Sequence, residues 1–218
     1  MGKMISCFLF KLTIYVLMIL QATAAYSQES PPETQNHRRV AVTFDDLPGV
    51  ALPEGFRCNF DSLKWVSQRL LQTAKAHQMP VAGFVVESRN CETFGKSELQ
   101  VIYDLWLNAG ATLGNHTHSH IDLNRTPVAE YQTDILRGET VLQPMLEKYG
   151  QQSKFFRYPY LHAGNTDTSK SAIEAFLADH NYQNAPVTID NQEWVFAAVY
   201  ARAKNRGDGA TMQKIADA

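Results

Sequence analysis

Residues 40–46 read VAVTFDD, an apolar run that ends in two adjacent carboxylates. A short apolar run bounded by polar residues is typical of a buried strand, and we predict this strand at residues 39–44. Four other runs of this kind follow along the chain, at residues 81–86, 112–115, 154–158 and 186–189. Segments with helical periodicity separate them. This alternation predicts an α/β fold with a mainly parallel sheet, either open or closed into a barrel.

The segments with helical periodicity are predicted as helices at residues 61–79, 97–109, 126–148, 169–179, 194–204 and 212–218. Gly110 is placed to end the second of them, since glycine adopts the left-handed conformation that often follows a helix. Pro144 lies inside the third, where the missing N–H of proline is expected to kink or break the helix.

Polar side chains follow directly after several predicted strands: Asp45, Asp46, His116, Arg157 and Asp190. In parallel α/β sheets the functional groups collect at the carboxyl ends of the strands. We therefore expect these residues to lie at the same edge of the sheet, where a candidate site would form.

Three of these side chains suit a metal ion. Asp46, His116 and His120 would supply one carboxylate and two imidazoles, the usual protein share of a catalytic zinc site with one open position. Asp45 would then remain next to the metal, free to act as a base. On a helix His118 would point away from the other two histidines, whereas on a strand all three would share a face.

Each of these motifs also has an ordinary structural interpretation. Two adjacent aspartates suit a solvated turn, and the His116–His120 segment suits a polar loop or a loose surface metal binder. Arg157 can pair with a carboxylate or extend along the surface from a strand end. Asp190–Trp194 can form one wall of a sugar groove, or Asp190 can cap a helix with Trp194 in the core.

Composition bounds the class of protein. The 218-residue chain has a formal net charge of −2, with 44% hydrophobic and 19% charged residues, as in ordinary soluble globular proteins. The chain has no excess of basic residues, so its charge does not suggest a nucleic-acid partner. The charge balance does not suggest attraction to a membrane surface either.

The first 25 residues resemble a secretory signal, with Lys3 at the start, an apolar run at residues 12–20 and the small-residue site Ala22-Thr23-Ala24. An uncleaved anchor is the alternative, but the apolar run is short for a membrane span. We predict residues 1–25 as a signal peptide, 26–38 as a flexible leader and 39–218 as one domain. The mature protein would be secreted or periplasmic, without a membrane span.

Cleavage of the signal would leave two cysteines, Cys58 and Cys91, in an oxidising compartment. A disulfide between them and two unrelated free thiols are equally compatible with the sequence, because the distance between the two residues decides.

Together, four ordered segments resemble the polysaccharide deacetylase family, also called the NodB-homology domain or carbohydrate esterase family 4. They are residues 43–46 (TFDD), 116–120 (HTHSH), 157–160 (RYPY) and 190–194 (DNQEW). The resemblance extends over residues 39–218. It implies a distorted (β/α) barrel and the metal-dependent hydrolysis of N-acetyl groups on amino-sugar polymers of the peptidoglycan or chitin type.

The resemblance also implies roles for the metal-binding residues. Asp46, His116 and His120 match the ligands of a divalent metal, Zn²⁺ or another such as Co²⁺ or Mn²⁺. Asp45 matches the catalytic base.

The remaining two motifs supply other catalytic residues of the family. Arg157 matches the arginine that orients the base, and Tyr160 matches the residue whose backbone N–H faces the oxyanion. Glu193 stands where an aspartate is usual. The expected partner is an acetylated polysaccharide.

The chain departs from the family pattern at several positions. Leu47-Pro48-Gly49 stands where Gly-Pro is frequent, and Leu161 stands where a glycine is common. The fifth motif, Leu-x-His, supplies the general acid, but no such segment follows Glu193 and no histidine follows His180. We therefore expect a barrel without its last strand and helix, and reduced activity. An O-acetyl polysaccharide esterase and an inactive metal- or glycan-binding remnant are the alternatives.

Overall fold

The structure is a computed structural model, and it describes residues 40–49, 58–88, 95–151 and 154–217. The predicted signal peptide, the leader and Cys91 lie outside these ranges. Cys58 is disulfide-bonded. Among the described helices, none combines the length and the apolar character that a membrane crossing requires.

Five strands and seven α-helices alternate along most of the described chain. The strands are β1 Val42–Leu47, β2 Val81–Val85, β3 Thr112–Asn115, β4 Lys154–Phe156 and β5 Tyr182–Asn184. The helices are α1 Phe60–Ala76, α2 Lys96–Asn108, α3 Val128–Arg137, α4 Leu142–Lys148, α5 Asp167–Asp179, α6 Glu193–Asn205 and α7 Gly209–Ala216.

The strands form one parallel sheet in the order β1-β2-β3-β4-β5. Sequential order means that the chain winds in one direction from strand to strand, as in a (β/α) barrel. The predicted α/β class is confirmed, and the fold is a distorted (β/α) barrel. All five strands point the same way, so their carboxyl ends lie at the same edge.

Four of the five predicted strands differ from the structure: those predicted at residues 81–86 and 154–158 end one and two residues early, and the first and last differ more. The first begins and ends three residues later than predicted, so that it includes both aspartates. The strand predicted at residues 186–189 is wrong, since β5 lies at residues 182–184 instead. The Ala185 N–H donates the last bond to the Phe156 carbonyl. Pro186 has no N–H and cannot continue the ladder.

The long helix predicted at residues 126–148 is two helices, and the break lies at residues 138–141 rather than at Pro144. Pro144 occupies the first turn of α4, where an N–H has no intrahelical partner and proline is tolerated. The buried Glu87 carboxylate accepts the Val141 and Leu142 N–H groups at 2.7 and 2.8 Å. It therefore caps the start of α4.

Two apolar clusters hold the sheet and helices together. One packs α1, α2 and α4 on the first three strands, and its fully buried members include Leu63, Ile102, Tyr103, Trp106 and Leu113. The other packs α3 and α5 on β4 and β5, around Tyr131, Ile135, Phe156, Ile173 and Leu177. Together the two clusters pack helices against all five strands.

Candidate metal centre

The two adjacent aspartates point to different partners because the end of β1 is irregular. The register between β1 and β2 shifts between Phe44 and Leu47, and Asp46 has a left-handed backbone with φ of 62°. Asp45 therefore contacts Arg157, whereas Asp46 contacts two histidines. The local backbone separates two carboxylates that would repel if they shared one position.

Asp46, His116 and His120 converge at the carboxyl edge of the sheet. One potential ligand atom from each lies within 4.8 Å of the other two. Asp46 Oδ1 is 2.9 Å from His120 Nε2 and 3.5 Å from His116 Nε2. His116 is buried, and the other two side chains are partly buried. The structure thus contains a candidate Asp-His-His metal site.

The chemistry of this group fits a divalent cation. His116 Nδ1 lies 2.7 Å from the Arg157 carbonyl oxygen, which can only accept, so Nδ1 carries the proton and Nε2 presents a lone pair. Asp46 Oδ1 is buried and faces the Nε2 atoms of both histidines, although neither contact has full hydrogen-bond geometry. Burial alone would raise the pKa of Asp46, but the two imidazoles outweigh it and hold the pKa well below its ordinary value.

The loop that carries the two histidines is neither helix nor strand. Thr117 and His120 have φ of 64° and 55°, which turns the loop back on itself. The Thr117 hydroxyl accepts the His120 N–H at 3.0 Å. His118 lies outside the metal-binding group, and burial lowers its pKa from the ordinary value. The loop therefore brings the outer two histidines to Asp46 and leaves the middle one aside.

Arg157 is buried and makes contacts on several sides. Its Nη1 donates to both carboxylate oxygens of Asp45, at 3.0 and 3.1 Å. Its Nε donates to the Ala185 carbonyl at 2.5 Å, and its guanidinium lies 4.3 Å from the centre of the Phe84 ring. Arg157 therefore fixes the orientation of Asp45.

Tyr160 lies next to the metal-binding group in a 3₁₀ turn, Pro159–Leu161. Its ring contacts the His120 ring edge-on at a centroid distance of 4.6 Å. Tyr160 and Leu161 both have left-handed backbones, with φ of 58° and 59°. Glycine adopts this conformation without strain. The left-handed backbone explains why glycine suits the position that Leu161 occupies here.

Left-handed backbone therefore recurs around the candidate centre. Five non-glycine residues with positive φ belong to it or border it: Asp46, Thr117, His120, Tyr160 and Leu161. Such conformations cost on the order of 1–2 kcal/mol per L-residue. They persist where surrounding contacts enforce them, and they often mark functional sites.

The fourth sequence motif is not joined to the others by the described contacts. Glu193 is the exposed first residue of α6, and its N–H donates to Asn191 Oδ1 at 3.2 Å. No hydrogen bond or ion pair among the described residues connects it to Asp45 or Arg157. Trp194 is 62% exposed, so it is not a core residue. Gln192, not Asp190, caps α6.

Sequence reasoning missed Asp134, which anchors the histidine loop from α3. Its carboxylate accepts the Ser119 N–H at 2.8 Å, and its backbone carbonyl accepts the His118 N–H at 3.0 Å. Its only sequence signal is an acidic residue on the apolar face of a helix, beside Tyr131 and Ile135. Such a residue is costly to bury without donors.

Comparison with known proteins identifies the family of this chain. A family profile described as polysaccharide deacetylase matches residues 33–179, which is well over half of the chain. The chain belongs to the polysaccharide deacetylase family. The range that matches the family contains Asp45, Asp46, both candidate histidine ligands and Arg157.

The sequence identity to individual members of the family is low. The chain is 28% identical over 170 residues to a peptidoglycan N-acetylglucosamine deacetylase of Bacillus cereus, covering 78% of this chain and 50% of the relative. It therefore spans about half the length of that curated relative.

Solved structures support the fold. The crystal structure of the Bc1960 peptidoglycan N-acetylglucosamine deacetylase matches with a TM-score of 0.50 and 24% identity, over 72% of this chain and 60% of the other. A pseudoenzyme of carbohydrate esterase family 4 from Bacillus anthracis matches with a TM-score of 0.50 and 14% identity, over 78% and 51%. At such identities the likeness supports the fold alone.

Proposed function

We propose that this protein is a metal-dependent hydrolase that removes N-acetyl groups from amino-sugar polymers of the peptidoglycan or chitin type. The observation that carries the proposal is the convergence of Asp46, His116 and His120 beside an Asp45 carboxylate held by Arg157. The N-acetylglucosamine deacetylase among its relatives supports the choice of substrate class. A secreted or periplasmic location would place the protein with such a polymer.

Asp46, His116 and His120 would hold the metal, which we propose to be Zn²⁺, with Co²⁺ or Mn²⁺ as alternatives. When bound, a divalent metal supplies Lewis acidity toward the acetyl carbonyl and toward a water molecule. The Nδ1–H of His116 stays on the Arg157 carbonyl, which keeps its Nε2 available as a ligand.

Asp45 would act as the general base and take a proton from the attacking water. Its side chain is about one-third exposed, whereas Arg157 beneath it is buried. Arg157 contacts both carboxylate oxygens and so limits rotation of the base during the reaction. The backbone N–H of Tyr160 would donate to the oxyanion that develops on the acetyl group.

The amine that leaves must gain a proton. Asp45 would hold the proton taken from water and could return it to the amine nitrogen as the C–N bond breaks, which balances the reaction. We assign no role in this step to Glu193, because its described contacts are confined to the start of α6.

The test is acetate release by the purified, metal-loaded protein from N-acetylglucosamine oligomers, from acetylated xylan and from an aryl acetate. Release from the oligomers supports the proposal. Release from the two esters alone would replace it with an O-acetyl esterase. No release, with one metal ion tightly held, would replace it with a metal- or glycan-binding protein. Asp45→Asn serves as the control for release that does not depend on the site.

A further inference from the structure

A buried series of hydrogen bonds links β5 to the loop that carries the two candidate histidine ligands. Asn115 is the last residue of β3, directly before His116, and it is fully buried. Its amide nitrogen donates to the Tyr182 hydroxyl at 2.8 Å and to the Ile135 carbonyl at 2.9 Å. Both N–H bonds of the amide are therefore used, and the orientation of the amide is fixed.

The other side of the Asn115 amide faces the histidine loop. Asn115 Oδ1 accepts the Thr117 N–H at 2.7 Å. Thr117 in turn accepts the His120 N–H through its hydroxyl. The orientation of one amide thus determines where the loop turns immediately after His116, and the turn places His120.

Tyr182 connects this amide to a charged pair. Its hydroxyl donates to Glu139 Oε1 at 2.6 Å, and Lys154 Nζ donates to the same oxygen at 2.5 Å. The Lys154 ammonium also lies 4.4 Å from the centre of the Tyr182 ring. Hydrogen bonds to an ionised acceptor are about twice as strong as neutral ones. Burial and the Glu139 hydrogen bond raise the pKa of Tyr182, so its hydroxyl keeps its proton.

The turn between α3 and α4 also confines the loop sterically. A Cβ atom at Gly138 would lie 3.0 Å from Asn115 Oδ1 and 3.0 Å from the Thr117 backbone carbon. These distances are tighter than ordinary contacts, so a side chain at this position would displace the loop or the helix. In this turn, Gly138 packs closely against Asn115 and Thr117, and Glu139 provides the carboxylate that Tyr182 contacts.

We propose that Tyr182 and Glu139 are positioning residues for the candidate metal centre. Acting through Asn115, they hold the His116–His120 loop in the conformation that brings both imidazoles to Asp46. This inference rests on the proposed function, because it concerns the same metal site. Groups bonded directly to metal ligands typically change metal affinity by about 10- to 100-fold when removed, and Tyr182 acts further out, through Asn115.

Tyr182→Phe tests the proposal by removing one hydroxyl and little else. We expect Zn²⁺ affinity, measured by competition with a chromogenic chelator, to fall several-fold, which is less than the roughly 10- to 100-fold effect of removing a direct partner of a ligand. We also expect the visible absorption spectrum of the Co²⁺-substituted protein to change, because the imidazoles are less constrained. Thermal unfolding of the metal-free variant measures the purely structural cost separately.

Tyr131→Phe is the matched control. Tyr131 is buried in the same apolar cluster as Tyr182, but its hydroxyl has no hydrogen-bond partner among the described residues. Its removal should leave the Zn²⁺ affinity and the Co²⁺ spectrum unchanged. Equal affinities in Tyr182→Phe and Tyr131→Phe would overturn the proposal.

Glu139→Ala provides a second variant at a partly exposed turn, and Glu139→Gln should rescue part of the affinity because an amide oxygen can still accept from Tyr182. Asp46→Ala distinguishes an error in the metal site from an error in the positioning role. If Asp46→Ala binds Zn²⁺ as tightly as wild type, the metal site itself is wrong. If Asp46→Ala loses Zn²⁺ while Tyr182→Phe and Glu139→Ala do not, only the positioning role is wrong.

Discussion

Asp45 and Arg157 lie 112 positions apart in the chain, and one guanidinium nitrogen of Arg157 contacts both carboxylate oxygens of Asp45. Arg157 is held in turn by the Ala185 carbonyl and by the Phe84 ring. A carboxylate oriented by a buried, immobilised guanidinium has little freedom to rotate away from its substrate. The relationship gives the proposed base a fixed direction.

Arg157→Lys should lower kcat by about 100-fold, because a lysine keeps the charge but cannot contact the Ala185 carbonyl and both oxygens of Asp45 together. Metal content should stay at the wild-type value, since the proposed ligand His116 bonds only to the backbone carbonyl of Arg157. Steady-state acetate release and elemental analysis measure the two effects. A variant with wild-type kcat would contradict the orienting role.

Asp45→Asn should retain the metal and lose turnover by a factor on the order of 10²–10⁴, because an amide cannot accept the proton of the attacking water. The matched variant is Asp46→Asn, which should weaken metal binding instead. Acetate release at saturating metal, beside metal content after dialysis, distinguishes them. Turnover by Asp45→Asn would remove Asp45 from the mechanism.

His120→Ala should abolish tight metal binding, because it removes one of three converging ligand atoms. His118→Ala is the control in the same loop, since His118 lies outside the metal-binding group, and it should bind metal as wild type does. Isothermal titration with Zn²⁺ measures both. Equal losses in the two variants would mean that the loop binds metal nonspecifically.

Leu161→Gly should raise the free energy of unfolding by up to about 1 kcal/mol. It relieves a left-handed backbone that costs on the order of 1–2 kcal/mol, partly offset by the greater entropy of glycine in the unfolded chain. The Leu161 side chain is 44% exposed, so little buried contact is lost. Urea unfolding measures the change. A fall in the free energy of unfolding by about 1 kcal/mol or more would instead mean that the leucine side chain stabilises the turn.

Glu87 predicts a specific pH dependence of stability. Burial raises its pKa above the ordinary value, against the lowering effect of the Leu142 and Val141 N–H groups. Between the unfolded and the folded pKa the folded state therefore binds more protons, and the free energy of unfolding falls as pH rises. Glu87→Gln keeps an acceptor oxygen and does not titrate, so it should lack this slope and match or exceed wild-type stability at neutral pH.

Urea unfolding of wild type and Glu87→Gln between about pH 4 and pH 7 measures the difference in slope. Glu87→Leu is the control for the cap, because it leaves the Val141 and Leu142 N–H groups without this acceptor. We expect it to lose about 1–3 kcal/mol for each N–H that stays unsatisfied. A parallel pH dependence in wild type and Glu87→Gln would show that the carboxylate does not titrate in this window.

The strands and the edge where they end could be predicted from apolar runs, because burial of a strand leaves a clear signal in the sequence. The residues at which helices and strands begin and end were harder to predict. Residues 186–189 look like a strand, but the pairing with β4 is complete at Ala185. The break between α3 and α4 depends on Glu87, which is distant in the chain and caps α4. Such tertiary contacts override local propensity.

The candidate ligands could be named from spacing, but the conformation that brings them together could not. His116 and His120 meet Asp46 because Thr117 and His120 adopt left-handed backbone. A β-branched threonine is rarely found there, so local preference predicts otherwise. The contact between Asn115 and Tyr182 spans 67 positions and leaves no periodic pattern in the sequence.

The left-handed backbone at Asp46 also limits which substitutions can remove the proposed metal without disturbing the turn. Asparagine and glycine are the residues that tolerate this conformation best. Each is one base change away from aspartate, is compatible with the turn and removes the negative charge, whereas a β-branched replacement would strain the backbone. Substitutions that remove the proposed metal at position 46 should therefore favour asparagine or glycine, which are compatible with the backbone of the remaining scaffold.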